Sequence, residues 1–300
     1  MADHLTTIVR WSTGLLLVVV LAACGDPDLV PDEHYTGSDR LFEMVDSNVA
    51  ASERLDKLVE IDHSRLGIEA GSVMPPARVI IFSDPELEAR LVAINPLVAI
   101  DLPLRILAYE SIADQESRVT FNTFDYLRSR YGLDELPELE AAYASSMADA
   151  LAGVPVEAVS EFTQDNMQPD GITSLESPFD FGTTVERVVA AINAQEDTVW
   201  FGQVDFQLHA RELGIQTGPA RLLLFGAPAP GAKAMAKAPT LGLDAFCQKF
   251  LVWQDDAGQV RLSFNDLLDI AARQDVPKSI ALRVVNRRIK ETFSEALEEQ

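Results

Sequence analysis

The sequence predicts an α+β chain of two tandem two-layer α/β sandwich domains, each a small, mainly antiparallel sheet with helices on one face. Three observations carry that reading. The chain repeats itself at a shift of 143 positions: "PPARVIIF" at Pro75 to Phe82 returns as "GPARLLLF" at Gly218 to Phe225. Strand-like apolar runs are grouped beside segregated helical runs, the pattern of a two-layer α+β unit. The apolar fraction, 47%, is that of a globular chain, and the length suits two domains of ordinary size.

The shift is held in register. Glu43, Val45, Asp62 and Gly71 fall on Glu186, Val188, Asp205 and Gly214, and Phe82, Pro85, Pro96 and Asp101 fall on Phe225, Pro228, Pro239 and Asp244. A one-residue slip after Asp101 brings "LRILAYE" onto "QKFLVWQ". The original shift then returns, and Arg118, Phe121 and Asn122 meet Arg261, Phe264 and Asn265. Register held over this distance marks a tandem duplication.

Taken in order, residues 1–23 hold one basic residue, Arg10, before the apolar run "GLLLVVVLAA". That run is too short to span a bilayer, which needs about 20 residues, and has the length of a signal-peptide core. Because it ends in "LAAC", it resembles a bacterial lipoprotein signal with Cys24 as the lipidated N-terminus; an ordinary secretory signal with a chance cysteine is the alternative. Gly25 rather than aspartate after Cys24 points, by resemblance to lipoprotein sorting, to the outer membrane, facing the periplasm. Residues 24–37, acidic with two prolines, read as a tether.

The first domain is expected over 38–132 and the second over 178–275. In the second, "TTVERVVAAINAQ" places Val185, Val188, Val189 and Ile192 at helical spacing behind a threonine cap. "DTVWFGQVDF" reads as a strand, and "ARLLLF", wholly apolar, as a buried central strand. "PGAKAMAKAPTLGL" starts as a helix and stops at Pro239. "KFLVWQDDAGQVRLSF" is a hairpin turning on Asp-Asp-Ala-Gly, and "NDLLDIAARQ" is a capped helix. The order is helix, strand, strand, helix, strand, strand, helix, with a further short strand at "SPFDF". Residues 133–177 read as a helical segment followed by a linker. Residues 277–299 read as an amphipathic helix with Val285, Ile289, Phe293 and Ala296 on one face.

The net charge of −23 repels nucleic acid and anionic lipid, so both are poor candidates for partners. If Cys24 carries lipid, Cys247 has no disulfide mate, and its apolar neighbours suggest an inert thiol. No phosphate-binding glycine loop, G-x-S-x-G or assembled acid–base pair is present, which favours a binding or structural protein over an enzyme.

The stretch "IDHSRLGIEAGSVMPPARVIIF", followed by "NPL" and "DLPLR", resembles the domain-of-unknown-function family 302, and the resemblance recurs in the second copy. It implies a small two-layer α+β fold found in exported bacterial proteins and brings no activity. Copy one keeps His63, Asn95-Pro96 and Asp101-Leu102-Pro103, where copy two has Phe206, Ala238-Pro239 and Asp244-Ala245-Phe246. If the fold has a polar site, copy one holds more of it, and His63, Asn95, Asp101 and Asn122 are the candidate ligand-binding residues. His63 reads either as a hydrogen-bonded structural histidine or as a ligand to a metal or haem. Zinc would need three or four ligands, and the sequence offers no His/Cys cluster. Asp101 reads otherwise as a turn cap and Asn122 as a helix cap. The expectation is a lipid-anchored envelope protein, held to the membrane through Cys24, with a small ligand or an envelope protein as partner.

Overall fold

The computed structural model describes residues 32–162 and 171–298. Cys24 and the signal segment lie outside the described residues. Copy one opens with helix α1 (Asp32–Ala51), whose Leu41, Phe42, Val45 and Val49 face inward. It continues as β1 (Asp56–Asp62), α2 (His63–Glu69), β2 (Ala77–Ser83), α3 (Pro85–Ile94), a 3-10 turn (Pro96–Ile100), β3 (Leu104–Glu110), β4 (Ser117–Asn122), α4 (Phe124–Tyr131), α5 (Pro137–Ala150) and β5 (Val159–Phe162). Copy two adds β6 (Ile172–Glu176), α6 (Phe181–Asn193), β7 (Val199–Asp205), α7 (Phe206–Glu212), β8 (Ala220–Gly226), α8 (Pro228–Met235), a 3-10 turn (Pro239–Gly242), β9 (Gln248–Gln254), β10 (Val260–Asn265), α9 (Leu267–Arg273) and α10 (Ile280–Ala296).

Each copy folds as an antiparallel meander. The sheets run β1-β2-β3-β4-β5 and β6-β10-β9-β8-β7. Phe82 and Phe225 occupy equivalent strands, opposite Leu104 and Gln248. The duplication reaches even the irregularities, for the edge-strand bulge at Lys57/Val59 recurs at Trp200/Gly202. The outer edges differ. β6 joins β10 antiparallel, whereas β5, arriving after α5, joins β4 in parallel.

Several expected boundaries move. Residues 32–37, expected as tether, are the first turns of α1, pinned where His34 Nδ1 meets Glu110 at 2.8 Å. The missing short helices are α2 and α7, whose caps Asp62 and Asp205 accept from Arg65 N and Leu208 N. Seven-residue helices leave too little periodicity to stand out from the strand before them. The first strand of copy two is Ile172–Glu176, not "SPFDF", where Asp180 instead caps α6. α5, expected as part of the connection, is the shifted counterpart of α10, and it packs on α1 and α3 as α10 packs on α6 and α8. Phe293 of α10 lies against Phe225 and Phe250, ring centroids 6.0 and 4.3 Å apart.

The two copies are not independent beads. α2 of copy one packs on α8 of copy two, and α7 of copy two packs on α3 of copy one. The turn at 96–100 rests on β8, β9 and β10, and the turn at 239–242 rests on β2 and β3. Reciprocal contacts of equivalent elements define a pseudo-twofold axis. α1 covers one face of the first sheet, and the other face is covered by copy two, so one continuous core spans both copies.

Candidate functional site

The predicted site residues sit at the seam between the copies. β1 ends at Asp62, whose carboxylate takes the Arg65 amide at 2.9 Å, and His63 becomes the first residue of α2. That change of element turns the imidazole toward copy two. Its Nε2 donates to the Gly242 carbonyl at 3.0 Å, and the ring is 6% exposed. The approach is possible because residue 242 lacks a side chain: a Cβ there would stand 2.8 Å from His63 Cδ2. Burial lowers the imidazole pKa to about 4, outweighing the opposing bond to Gly242.

Beside His63 lies a cavity of about 20 Å³, lined among others by Ile61, Phe201, Met235 and Phe246. That is room for a single water. Its walls include Gly226, Ala227 and Gly231, where copy one carries Ser83, Asp84 and Glu88. The copy-one side chains fill the equivalent space: Ser83 Oγ donates to Glu88 at 2.7 Å, and Ser146 Oγ donates to Asp84 at 2.6 Å. Haem does not fit at His63. Among the described residues no three His, Cys, Asp or Glu side chains converge as a metal site. Of the two readings of His63, the hydrogen-bonded structural histidine fits this packing: one ring nitrogen is engaged by Gly242 and the space beside it holds no more than a water.

Asp101 and Asn122 meet at the centre of the seam, in a network that the sequence reading missed. Arg105 on β3 donates to Asp101 Oδ1 at 2.6 Å and to the Leu243 carbonyl at 2.9 Å, and it closes an ion pair with Asp244. Arg130, fully buried on α4, pairs with Asp101 and donates to Asn265 Oδ1 at 2.6 Å. Tyr131 donates to Asp101 at 2.8 Å, and Asn122 Nδ2 donates to Asp244 at 3.1 Å. Lys249 Nζ donates to the Asp244 carbonyl at 2.9 Å. Burial alone would raise the Asp101 carboxyl, but Arg130 and Arg105 hold it well below the usual carboxylate range. Burial lowers Lys249 to about 8, with Arg105 adding to the effect.

Asn95 stands apart as a cap. It accepts from Leu97 N at 3.0 Å and donates to the Tyr131 carbonyl at 3.2 Å. Cys247 is buried, its thiol pushed up to about 11 by burial. Two carboxylates and three cations, drawn from both copies, are enclosed by apolar strands, where breaking one pair would strand a buried charge.

The family model described as "Domain of unknown function DUF302" matches residues 34–154 and 173–298, spans that include α5 and α10. Among curated proteins, this chain is similar to the fluoride-specific ion channel FluC 1 of Brucella suis biovar 1, 34% identical over 106 residues. The match covers 35% of this chain and 41% of the relative. FluC 1 of Brucella abortus biovar 1 and FluC 2 of Brucella melitensis biotype 1 match at 34% over 106 residues, 35% of this chain and 38% of each relative. The chain thus spans about two fifths of these relatives. A crystal structure of an uncharacterized conserved DUF302 protein from Bacillus stearothermophilus matches 43% of this chain and 96% of its own, at 16% identity and TM-score 0.36.

Proposed function

The chain belongs to the DUF302 family, whose domain it carries twice, and from that premise we propose that it is a lipid-anchored envelope protein serving as a binding or structural module rather than an enzyme. One observation carries the reading: His63 and Asn122 bond across to Gly242 and Asp244 of copy two, and Asp101 holds Arg105, which pairs with Asp244 across the same seam. Asn95 is a cap in the same body. Side chains committed to buried partners are poorly placed to turn over a substrate. The proposed location, outer membrane and periplasm-facing, is supported by "LLLVVVLAACG" at Leu15 to Gly25. No transport activity is taken from the fluoride channels, of which this chain spans about two fifths. Among the described residues no helix is long and apolar enough to cross a membrane.

Intact-protein mass spectrometry of the membrane fraction tests the anchor. The expected species begins at Cys24 with added acyl mass, and a chain beginning elsewhere without it refutes the anchor. Native mass spectrometry of the same preparation tests the rest. A stoichiometric small molecule that disappears in His63→Phe would overturn the structural reading of His63.

A further inference from the structure

Basic surface is the exception on a chain with 47 acidic and 24 basic residues. Two stretches nevertheless carry no carboxylate: residues 213–243, with Lys233 and Lys237, and residues 276–290, with Lys278, Arg283, Arg287, Arg288 and Lys290. The fold brings them together, because α8 packs on α10. In copy one the equivalent place is a groove lined by Arg90, Ile94, Glu135, Pro137 and Glu138, with Arg90 and Glu138 paired at 3.0 Å. The shift of 143 carries those five positions onto Lys233, Lys237, Lys278, Ile280 and Ala281. The two ends of the pseudo-dimer therefore carry opposite charge.

Part of the basic charge is already used. Arg288 pairs with Asp197 and Lys290 with Asp266, both at 2.5 Å, and Arg287 faces Glu291 at 3.8 Å. Lys233, Lys237, Lys278 and Arg283 are exposed. Lys233 and Lys237 lie at the C-terminal end of α8, where cations suit the macrodipole, but helix stability does not account for Lys278 and Arg283, since cations near a helix N-terminus oppose it and the first turn of α10 holds no acid. Between them project Ile280, 82% exposed, and Val284, 51% exposed, one turn apart.

We propose that this face, α10 with the end of α8, docks on an anionic phospholipid surface. Ile280 and Val284 enter the boundary between headgroups and acyl chains, and the four cations meet phosphates around them, as in helices that lie in the interface plane. A fluid bilayer accepts projecting aliphatic side chains without a preformed socket, which favours it over a folded acidic partner. The proposal rests on the membrane-anchored reading only in needing a membrane nearby; anchoring would raise the local lipid concentration enough for a weak patch to act. It would set copy two against the bilayer and turn the acidic groove of copy one outward.

The test uses full-length Cys24→Ser protein, which carries no acyl chain, sedimented with vesicles of phosphatidylcholine alone or mixed with phosphatidylglycerol. The N-terminal segment, with Arg10 ahead of its apolar run, is common to every variant, so the readout is the change that each substitution makes in the gain on adding the anionic lipid. That gain should vanish at high salt. At about fivefold per cation it should fall about 25-fold in Lys233→Gln/Lys278→Gln, while Glu135→Gln/Glu138→Gln, in the corresponding groove of copy one, should not reduce it. Circular dichroism checks that each variant is folded. Equal binding to both vesicles, or no loss in the lysine variant, overturns the proposal. So does a concentration-dependent dimer abolished by Lys278→Gln without any gain on anionic lipid, which would assign the patch to a second copy. Failure of lipidation at Cys24 leaves the anionic gain untouched, so the two claims fail separately.

Discussion

Gly242→Ala should destabilise the protein through one clash, and His63→Ala should remove that clash. The new Cβ would stand 2.8 Å from His63 Cδ2, 3.1 Å from Nε2 and 3.3 Å from Leu107 Cδ1. The first distance is one that real Cβ atoms do not tolerate. The ring is held by its bond to the Gly242 carbonyl and walled by the seam, so it has only the 20 Å³ cavity to move into. Overpacking of this kind costs about 1–3 kcal/mol. His63→Ala alone strands the Gly242 carbonyl, at about 1–3 kcal/mol. With the imidazole gone, however, the next atom the methyl at position 242 meets is Leu107 Cδ1 at 3.3 Å, the end of a side chain that can give by a few tenths of an ångström, and its cost should largely disappear. A urea-denaturation double-mutant cycle should then return a coupling of about 1–3 kcal/mol in the rescuing direction. Additive single costs, within about 0.5 kcal/mol, would show that His63 and Gly242 are not packed as a pair.

Glu88 is held at about 8, raised by burial first and by the Asp84 charge second. A folded pKa above the unfolded value means that its contribution is fully present below about pH 4.5 and lost as pH rises through 8. Relative to wild type, Glu88→Gln should therefore lose this downward slope between those values, read from chemical denaturation at each pH. His63, lowered to about 4 from its ordinary 6.5, slopes the opposite way between those two values, so the comparison with Glu88→Gln isolates the carboxyl. Cys247 should resist a thiol reagent in the native protein and react promptly once urea unfolds it; rapid native labelling would contradict its burial.

The duplication, the central strands and the β9–β10 hairpin were legible in the sequence because each is local or repeats at one shift. The seam was not. Asp101, Arg105 and Arg130 come from one copy and Asp244, Lys249 and Asn265 from the other, and no spacing rule links residues so far apart along the chain. One signal was present: Arg105 and Lys249 are lone cations inside apolar strands, at matching positions of the two copies. A charge kept twice in a buried strand announces a buried partner. His63 stayed open in the sequence for the opposite reason. Its replacement by Phe206 in copy two looks like loss of a ligand, whereas it accompanies a change across the axis, where Ala99 stands at the position equivalent to Gly242.

The central claim is that the polar residues weld two copies into one folding unit. Native-state hydrogen exchange of wild type and Asp244→Asn tests it, read at the amides of β3 in copy one and β9 in copy two. Asp244 belongs to copy two, but its carboxylate is held by Arg105 and Asn122 of copy one, so the substitution leaves buried Arg105 short of a counter-charge, at about 3–5 kcal/mol. A welded seam predicts that both strands open with one free energy in wild type and lose protection by the same amount in the variant. Loss confined to β9, with β3 protected as before, would contradict it and leave the copies as separate domains that merely touch.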